Sequence, residues 1–278
     1  MIPFDFEYYQ PETLQEATDL YQSLDRRGLQ PLYYGGGTEI ISMARLNTIQ
    51  TGAVIDLKSI PECRRLEVTA NQLIIGAAVT LTAIVEAKVF PLLSRSGGRI
   101  ADHTIRDRIT IGGNLCGKII YREAVLPLLL TDSELVIMGP GGQRRVGIQE
   151  VFQETMHLNP GEFVVQVGID PLYTSLPYQG IKKTRLDKID YPLVSIAVLK
   201  KDGKIRLAVS GLCAFPFRSL PMEEELNKGD IPLAERIRHL SAHLPAPILS
   251  DPHGSAEYRE FLFQNTLLKM VRELEEVS

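Results

Sequence analysis

The chain has 278 residues, 44% of them hydrophobic and 23% charged, with a formal net charge of −4. That length buries a sizeable core spread over two or three subdomains, and the mixed, mildly acidic charge without a Lys/Arg block argues against nucleic acid and against attraction to a membrane surface. The longest apolar runs, such as Ala124 to Leu130, are too short to span a bilayer. Met1-Ile2-Pro3-Phe4-Asp5-Phe6 has neither the basic nor the apolar region of a secretory signal, so a cytoplasmic protein without membrane insertion is expected. Cys63, Cys116 and Cys213 are odd in number, widely separated and free of C-x-x-C spacing, which points to three reduced thiols rather than a metal or iron–sulfur site. Redox chemistry on such a chain needs a non-covalent organic cofactor.

In chain order, Pro11 to Leu24 reads as a helix, with Pro in its first turn and Leu14, Ala17, Tyr21 and Leu24 on one face. Leu32 to Tyr34 and Ala53 to Leu57 read as buried strands, and Arg64 to Val68 with Gln72 to Gly76 as a hairpin around Ala70-Asn71. Helices follow near Thr82 to Ala87 and Phe90 to Arg95, and a buried helix from Ala124 to Leu130. Glu134 to Met138 and Gln143 to Val146 form a hairpin across Gly139 to Gly142, and Glu162 to Ile169 is a further strand. Pro171 to Pro177 reads as a linker. Beyond it, Leu193 to Lys200 and Lys204 to Ser210 pair about Asp202-Gly203, with Leu212 to Phe217 extending the sheet. Ile231 to Leu244 and Glu257 to Val277 are helical; Ser255 caps the latter, and Phe263, Leu267, Met270, Leu274 and Val277 make its core stripe.

Two glycine clusters stand out. Leu32-Tyr33-Tyr34 runs into Gly35-Gly36-Gly37-Thr38-Glu39-Ile40, and Thr110-Ile111 into Gly112-Gly113-Asn114-Leu115. Each is an apolar stretch ending in glycines beside a small polar residue. Glycine admits positive φ and close approach of a ligand, and successive amides in such a turn form an anion-holding concavity. Either cluster alone is an ordinary turn; two in one domain suggest a diphosphate clamped from two sides. Neither has the spacing of a dinucleotide fingerprint or a P-loop.

On these motifs the chain resembles the FAD-binding medium subunit of the molybdenum hydroxylases, the family of xanthine dehydrogenase and carbon monoxide dehydrogenase. The marks are G-G-G-T-E at Gly35 to Glu39, I-R-D-R-I-T-I-G-G-N from Ile105 to Asn114 and K-K-T-R from Lys182 to Arg185. D-Y-P-L-V-S-I-A-V from Asp190 to Val198 and S-A-E-Y-R from Ser255 to Arg259 complete the set, in family order along nearly the whole chain. The resemblance implies an α+β architecture: a PCMH-type FAD-binding α/β region at residues 1–172, with subdomains of about 1–58 and 59–172. A small antiparallel sheet with C-terminal helices follows at 173–278.

The resemblance also implies roles. Leu32, Tyr33, Tyr34, Gly35, Gly36, Gly37, Thr38, Glu39 and Ile40 would grip the FAD pyrophosphate with Thr110, Gly112, Gly113 and Asn114. Backbone N–H groups would do most of this, with side-chain bonds from Thr38 and Asn114. Tyr191 matches a position against the flavin in some relatives, or is a strand-edge tyrosine packed on a domain seam. Lys182 matches a lysine near the flavin, where its charge would stabilise anionic reduced flavin, or is a solvated lysine beside Lys183. The sequence departs from the family at Ile119 to Glu123: Glu123 replaces an aspartate that touches FAD, and Arg122 replaces a small residue. The cysteine-rich insertion of some relatives is absent.

The resemblance thus implies an electron-transfer subunit with no catalytic residues and no metal ligands of its own. Its expected partners are a small subunit with [2Fe–2S] clusters and a large subunit with molybdopterin, and two such complexes could pair as a dimer. Electrons from hydroxylation of a heteroaromatic such as a purine would pass through non-covalent FAD to NAD. The alternatives are a stand-alone FAD oxidoreductase and a degenerate scaffold that no longer holds FAD. Gly36→Val or Gly112→Val is expected to release FAD while leaving the fold largely intact.

Overall fold

The computed structural model of the chain describes residues 1–186 and 190–276. Its first elements are β1 (Glu7–Tyr9), α1 (Leu14–Arg26), β2 (Leu32–Tyr34), α2 (Thr38–Arg45), β3 (Ala53–Asp56), β4 (Leu66–Val68) and β5 (Leu73–Gly76). Then come α3 (Leu81–Ala87), α4 (Pro91–Gly97), α5 (His103–Arg106), α6 (Ile111–Cys116), α7 (Val125–Leu130), β6 (Glu134–Gly139), β7 (Gly142–Gly147) and α8 (Ile148–Val151). Short strands β8 (Phe152–Gln153) and β9 (Thr155–Met156) precede β10 (Phe163–Ile169), β11 (Tyr178–Thr184), β12 (Pro192–Lys201), β13 (Lys204–Ser210) and β14 (Phe217–Arg218). Helices α9 (Leu220–Leu226), α10 (Leu233–His239) and α11 (Ala256–Glu276) close the order. Among the described residues no helix is long and apolar enough to cross a membrane.

The chain divides into two compact units, each assembled from separated segments. The first takes Met1–Val89, His103–Gly117 and Asp132–Pro171; the second takes Phe90–Asp102, Lys118–Thr131 and the chain from Leu172 on.

The first unit holds a parallel three-stranded sheet in the order β1-β3-β2 and an antiparallel five-stranded sheet in the order β4-β5-β10-β6-β7. Helix α1 begins at Leu14 rather than Pro11, because the Thr13 hydroxyl accepts the Glu16 N–H and caps it. Its Ala17 and Leu24 bury against Ala53 and Ile55 of β3 and Val136, Met138, Phe163 and Val165 of the larger sheet. Eight such side chains withdrawn from water supply the main stabilisation, at roughly 1.5–3 kcal/mol for each large one. Both glycine clusters open helices, α2 and α6. Helix α2 starts after its glycines and carries Ile40, Ile41, Met43 and Ala44 at helical spacing, whereas α6 contains Gly112 and Gly113, poor helix formers that the surrounding packing holds in a helical turn.

The second unit is built on an antiparallel sheet in the order β11-β12-β13-β14. Val194, Ile196 and Val198 of β12 meet Leu207 and Val209 of β13, and Phe263, Leu267, Met270 and Leu274 of α11 cover them. Helix α11 follows the expected stripe, and the Ser255 hydroxyl accepts the Tyr258 N–H at its start. Val277, the last expected member of that stripe, lies outside the described residues. Three expectations are corrected. Strand β11 adds an edge that Gly180 and the Lys182-Lys183 pair hide from an apolar pattern. Of Leu212 to Phe217 only Phe217 joins the sheet, since the chain leaves β13 at Gly211 with φ +81°. The helix expected over Ile231 to Leu244 is α10 followed by a 3₁₀ turn, Leu240–His243.

Candidate functional site

Strand β2 delivers the chain into the first glycine cluster, and Gly37, at φ +70°, turns it into α2. No side chain caps this helix, and its first internal bond is Ile41 N–H to the Gly37 carbonyl, at 2.8 Å. Among the described residues the amides of Gly36, Gly37, Thr38 and Ile40 therefore donate to no protein acceptor. Four open donors at a helix N-terminus, with the positive end of the helix dipole behind them, make an anion-binding geometry. Glu39, which would repel an anion here, reaches toward the chain beyond the second cluster; a Cβ on Gly117 would lie 2.5 Å from its Oε2.

The second cluster behaves differently. Thr110 caps α6, its hydroxyl accepting the Gly113 N–H at 3.1 Å and its carbonyl the Asn114 N–H at 2.9 Å. Ile111 and Gly112 donate to the carbonyls of Val79 and Ala77, both at 2.9 Å. All four amides are committed within the protein, so the expectation that this loop grips a phosphate mainly through N–H groups is not what the geometry offers. What it does present is Asn114, buried, with an Oδ1 that has no hydrogen-bond partner among the described residues.

The glycines let the two clusters touch each other. A Cβ on Gly35 would fall 2.6 Å from Thr110 Oγ1, one on Gly36 1.5 Å from the Arg108 carbonyl oxygen, and one on Gly112 2.7 Å from the Ala77 Cβ. The expectation that Gly36→Val or Gly112→Val spares the fold is thus corrected: backbone already occupies the space those side chains need.

Residues without a sequence signal of their own complete the first cluster. Asp56, 1% exposed at the end of β3, accepts from the Tyr8 hydroxyl and lies 2.6 Å from Lys58 Nζ. Lys58 Nζ also donates to the Gly35 carbonyl at 2.8 Å and sits 4.6 Å from the Tyr34 ring centroid. The bond to Asp56 holds the Tyr8 hydroxyl up at about 12. Burial, and then the Asp56 charge, raise Tyr34, while Arg108 is near enough to oppose that rise. Tyr34 and Ile40 line an apolar cavity of about 210 Å³ with Phe4, Phe6, Tyr8 and Val54. Tyr33 is a core residue: its ring stacks on Tyr21 and touches Phe163, and its hydroxyl donates to the Gly161 carbonyl at 2.9 Å. Leu32 is half-buried in β2 opposite Val54, and Thr38 is half-buried at the first position of α2.

The other three expected residues lie in the second unit. Lys182, on β11, places Nζ 3.1 Å from Glu123 Oε1 and donates to the Arg99 carbonyl at 3.0 Å. The side chains of Lys182 and Glu123 are 8% and 5% exposed, so Lys182 is a buried, paired cation rather than a solvated one. Its approach to Glu123 is an ion pair without hydrogen-bond alignment, since Oε1 has no such partner among the described residues. Beside the pair is a cavity of about 10 Å³, enough for one water, edged by Arg95, Arg99 and Ser195. Tyr191 is 53% exposed and stacks on Tyr121 at 5.0 Å, a contact created by the departure segment itself. Arg122 of that segment is 1% exposed. Arg259, from S-A-E-Y-R, is structural: it forks onto Asp251 at 2.8 Å and donates to the carbonyls of Leu193 and Gly211 at 2.6 and 2.8 Å.

This donor set fits the diphosphate of FAD. Open amides of the first cluster would face it, and Asn114 Oδ1 is a buried acceptor without a partner among the described residues. Burial pushes the thiols of Cys63 and Cys213 up to about 12 and about 11, which makes them poor nucleophiles. Among the described residues no group of three His, Cys, Asp or Glu is placed to hold a metal ion.

Residues 4–171 match the family described as the FAD binding domain in molybdopterin dehydrogenase. The chain is 26% identical over 282 residues to the nicotine 6-hydroxylase medium subunit of Paenarthrobacter nicotinovorans, covering 96% of each chain. It is 26% identical over 275 residues to the carbon monoxide dehydrogenase medium chain of Afipia carboxidovorans, covering 93% of each. Against the xanthine dehydrogenase FAD-binding subunit of Escherichia coli O157:H7 it is 28% identical over 165 residues, 57% of this chain and 53% of that one. The fold matches a chain of a Cu,Mo-CO dehydrogenase crystal structure with a TM-score of 0.87 at 23% identity, over 100% of both chains. It matches a chain of quinoline 2-oxidoreductase from Pseudomonas putida 86 at 0.86 and 21% identity, over 99% and 98%.

Proposed function

This chain belongs to the family of FAD-binding domains of molybdopterin dehydrogenases, and we propose that it is the electron-transfer subunit of a hydroxylase acting on a nitrogen heteroaromatic, xanthine dehydrogenase-like in its use of NAD. The open amide cluster from Gly36 to Ile40 is the single observation that carries the assignment of FAD to this chain. Bound there, FAD supplies exchange between one-electron and two-electron carriers. The chain's residues hold and orient it. Gly36, Gly37, Thr38 and Ile40 donate to the diphosphate, and Asn114 accepts from a hydroxyl. Gly35 and Gly36 let the first cluster pack on Thr110 and Arg108, while Gly112 packs on Ala77 and Gly113 on Thr110. Within the second unit, Lys182 and Glu123, which the resemblance assigns to the flavin, form a buried charge pair, and Tyr191 presents a half-exposed aromatic face.

The partners in this proposal are a small subunit with [2Fe–2S] clusters and a large subunit with molybdopterin, in the cytoplasm, two such complexes forming a dimer. Relatives named as medium subunits or chains support a multi-subunit assembly. Relatives named for nicotine, nicotinate, xanthine and caffeine support a nitrogen heteroaromatic, and those named for carbon monoxide dehydrogenase make CO the competing substrate. Among these a purine is the first substrate to test.

The test has two stages. Released flavin and the visible spectrum of the purified chain, with and without added FAD, are expected to give one FAD per chain. No flavin in either the lone chain or the complex that copurifies with it would favour the scaffold alternative. The assembled complex is then assayed with NAD on hypoxanthine, nicotine, CO and aldehydes. Turnover of CO alone would remove the heteroaromatic assignment, and nicotine without hypoxanthine would move it from a purine to a pyridine.

A further inference from the structure

We propose that Lys58 is a positioning residue for the cofactor's diphosphate, acting through the peptide between Gly35 and Gly36; this rests on the assignment of the first glycine cluster as the diphosphate site. In a planar trans peptide the carbonyl and the following N–H point to opposite sides. Lys58 Nζ pins the Gly35 carbonyl at 2.8 Å, and so directs the Gly36 N–H the opposite way, where no protein acceptor among the described residues meets it. A glycine-glycine peptide has little resistance of its own to flipping, because neither residue carries a Cβ to restrict φ. Without the ammonium, the same peptide can turn its carbonyl toward the anion site and change an attraction into a repulsion.

Lys58 is itself held on several sides. Its own amide donates to Asp56 Oδ1 at 2.9 Å, its Nζ lies 2.6 Å from Asp56 Oδ2, and its ammonium rests over the Tyr34 ring. Asp56 is fixed in turn by β3, where it stands opposite Tyr34 of β2, and by the Tyr8 hydroxyl. The strand ends that flank the cluster therefore set the direction of the Gly36 donor. Because Asp56 balances the Lys58 charge, the effect is orientation rather than bulk attraction, and it should depend little on salt.

The experiment compares the parent, Lys58→Met, Lys58→Arg and the pair Lys58→Met with Asp56→Asn, which avoids leaving a buried carboxylate without its cation. Each full chain, and the complex purified with it, is titrated with FAD and with ADP, the diphosphate without the flavin, and its melting temperature is recorded. Losing a charge-assisted bond that orders a donor corresponds to about a tenfold loss of affinity. That loss is expected for FAD and ADP alike in both Met variants, with Lys58→Arg recovering most of it and the paired variant melting close to the parent. Parent-like affinity for both ligands in the paired variant would overturn the proposal, as would a loss confined to FAD. A parent chain and complex that take up neither ligand would instead overturn the diphosphate assignment on which the proposal rests.

Discussion

Replacing Gly36 with alanine tests how the two glycine clusters are joined. The new Cβ would stand 1.5 Å from the Arg108 carbonyl oxygen and 2.6 Å from its carbon, where ordinary contact begins at 3.4 Å. The clusters must therefore part by about 2 Å, and because the obstacle is backbone, no rotamer change relieves it. Overpacking of this kind costs roughly 1–3 kcal/mol, and a rigid neighbour places this case at about 3. At about 2–4 °C per kcal/mol for a protein of this size, the melting temperature should fall by about 6–12 °C. Gly141→Ala is the control, since nothing lies within 4 Å of its Cβ. Gly113→Ala should sit between them, its nearest neighbour being the rotatable Thr110 Oγ1 at 3.0 Å. Calorimetric scans, with released flavin measured on the same samples, decide the matter. A Gly36→Ala chain that melts with the parent and with Gly141→Ala would refute the interlocked clusters, and flavin lost at unchanged stability would restore a role in direct ligand contact alone.

Lys182→Met should destabilise the chain by about 3–5 kcal/mol, because it leaves the buried Glu123 carboxylate without its cation, whereas adding Glu123→Gln should return much of that loss; urea unfolding of both variants checks the coupling. Arg259→Met removes the fork to Asp251, which keeps its bonds from the His253 and Gly254 amides, and leaves the buried carbonyls of Leu193 and Gly211 without this donor, so its urea midpoint should fall by the equivalent of about 2–4 kcal/mol; a loss below about 1 kcal/mol would contradict the clamp. The Arg144 fork holds the Glu162 carboxyl down at about 2, against 4.5 for the free side chain. Between pH 4.5 and 2 the unfolded chain thus binds more protons at this site, so its stabilisation is complete above 4.5 and is lost as pH falls toward 2. Arg144→Gln should flatten that part of the stability–pH curve, and an unchanged slope would show that the fork does not govern it.

Local pattern determined much of this protein from the sequence alone. The apolar stripe of α11, the turn-bounded hairpins β4-β5, β6-β7 and β12-β13, and the two glycine clusters all follow from short-range rules that need no partner segment. Family membership was legible for the same reason, since it rests on contiguous strings such as Ile105 to Asn114. The rest depended on groups far apart in the chain. No spacing rule says that Lys58 will reach back to the Gly35 carbonyl, or that Glu123 and Lys182, each singled out separately, will pair with each other. Nor does the string T-I-G-G-N say that its amides already have acceptors at Val79 and Ala77. A free glycine amide and a committed one have the same sequence. Which is which depends on what the tertiary fold brings within 3 Å, and that decided where the open donors of this protein lie.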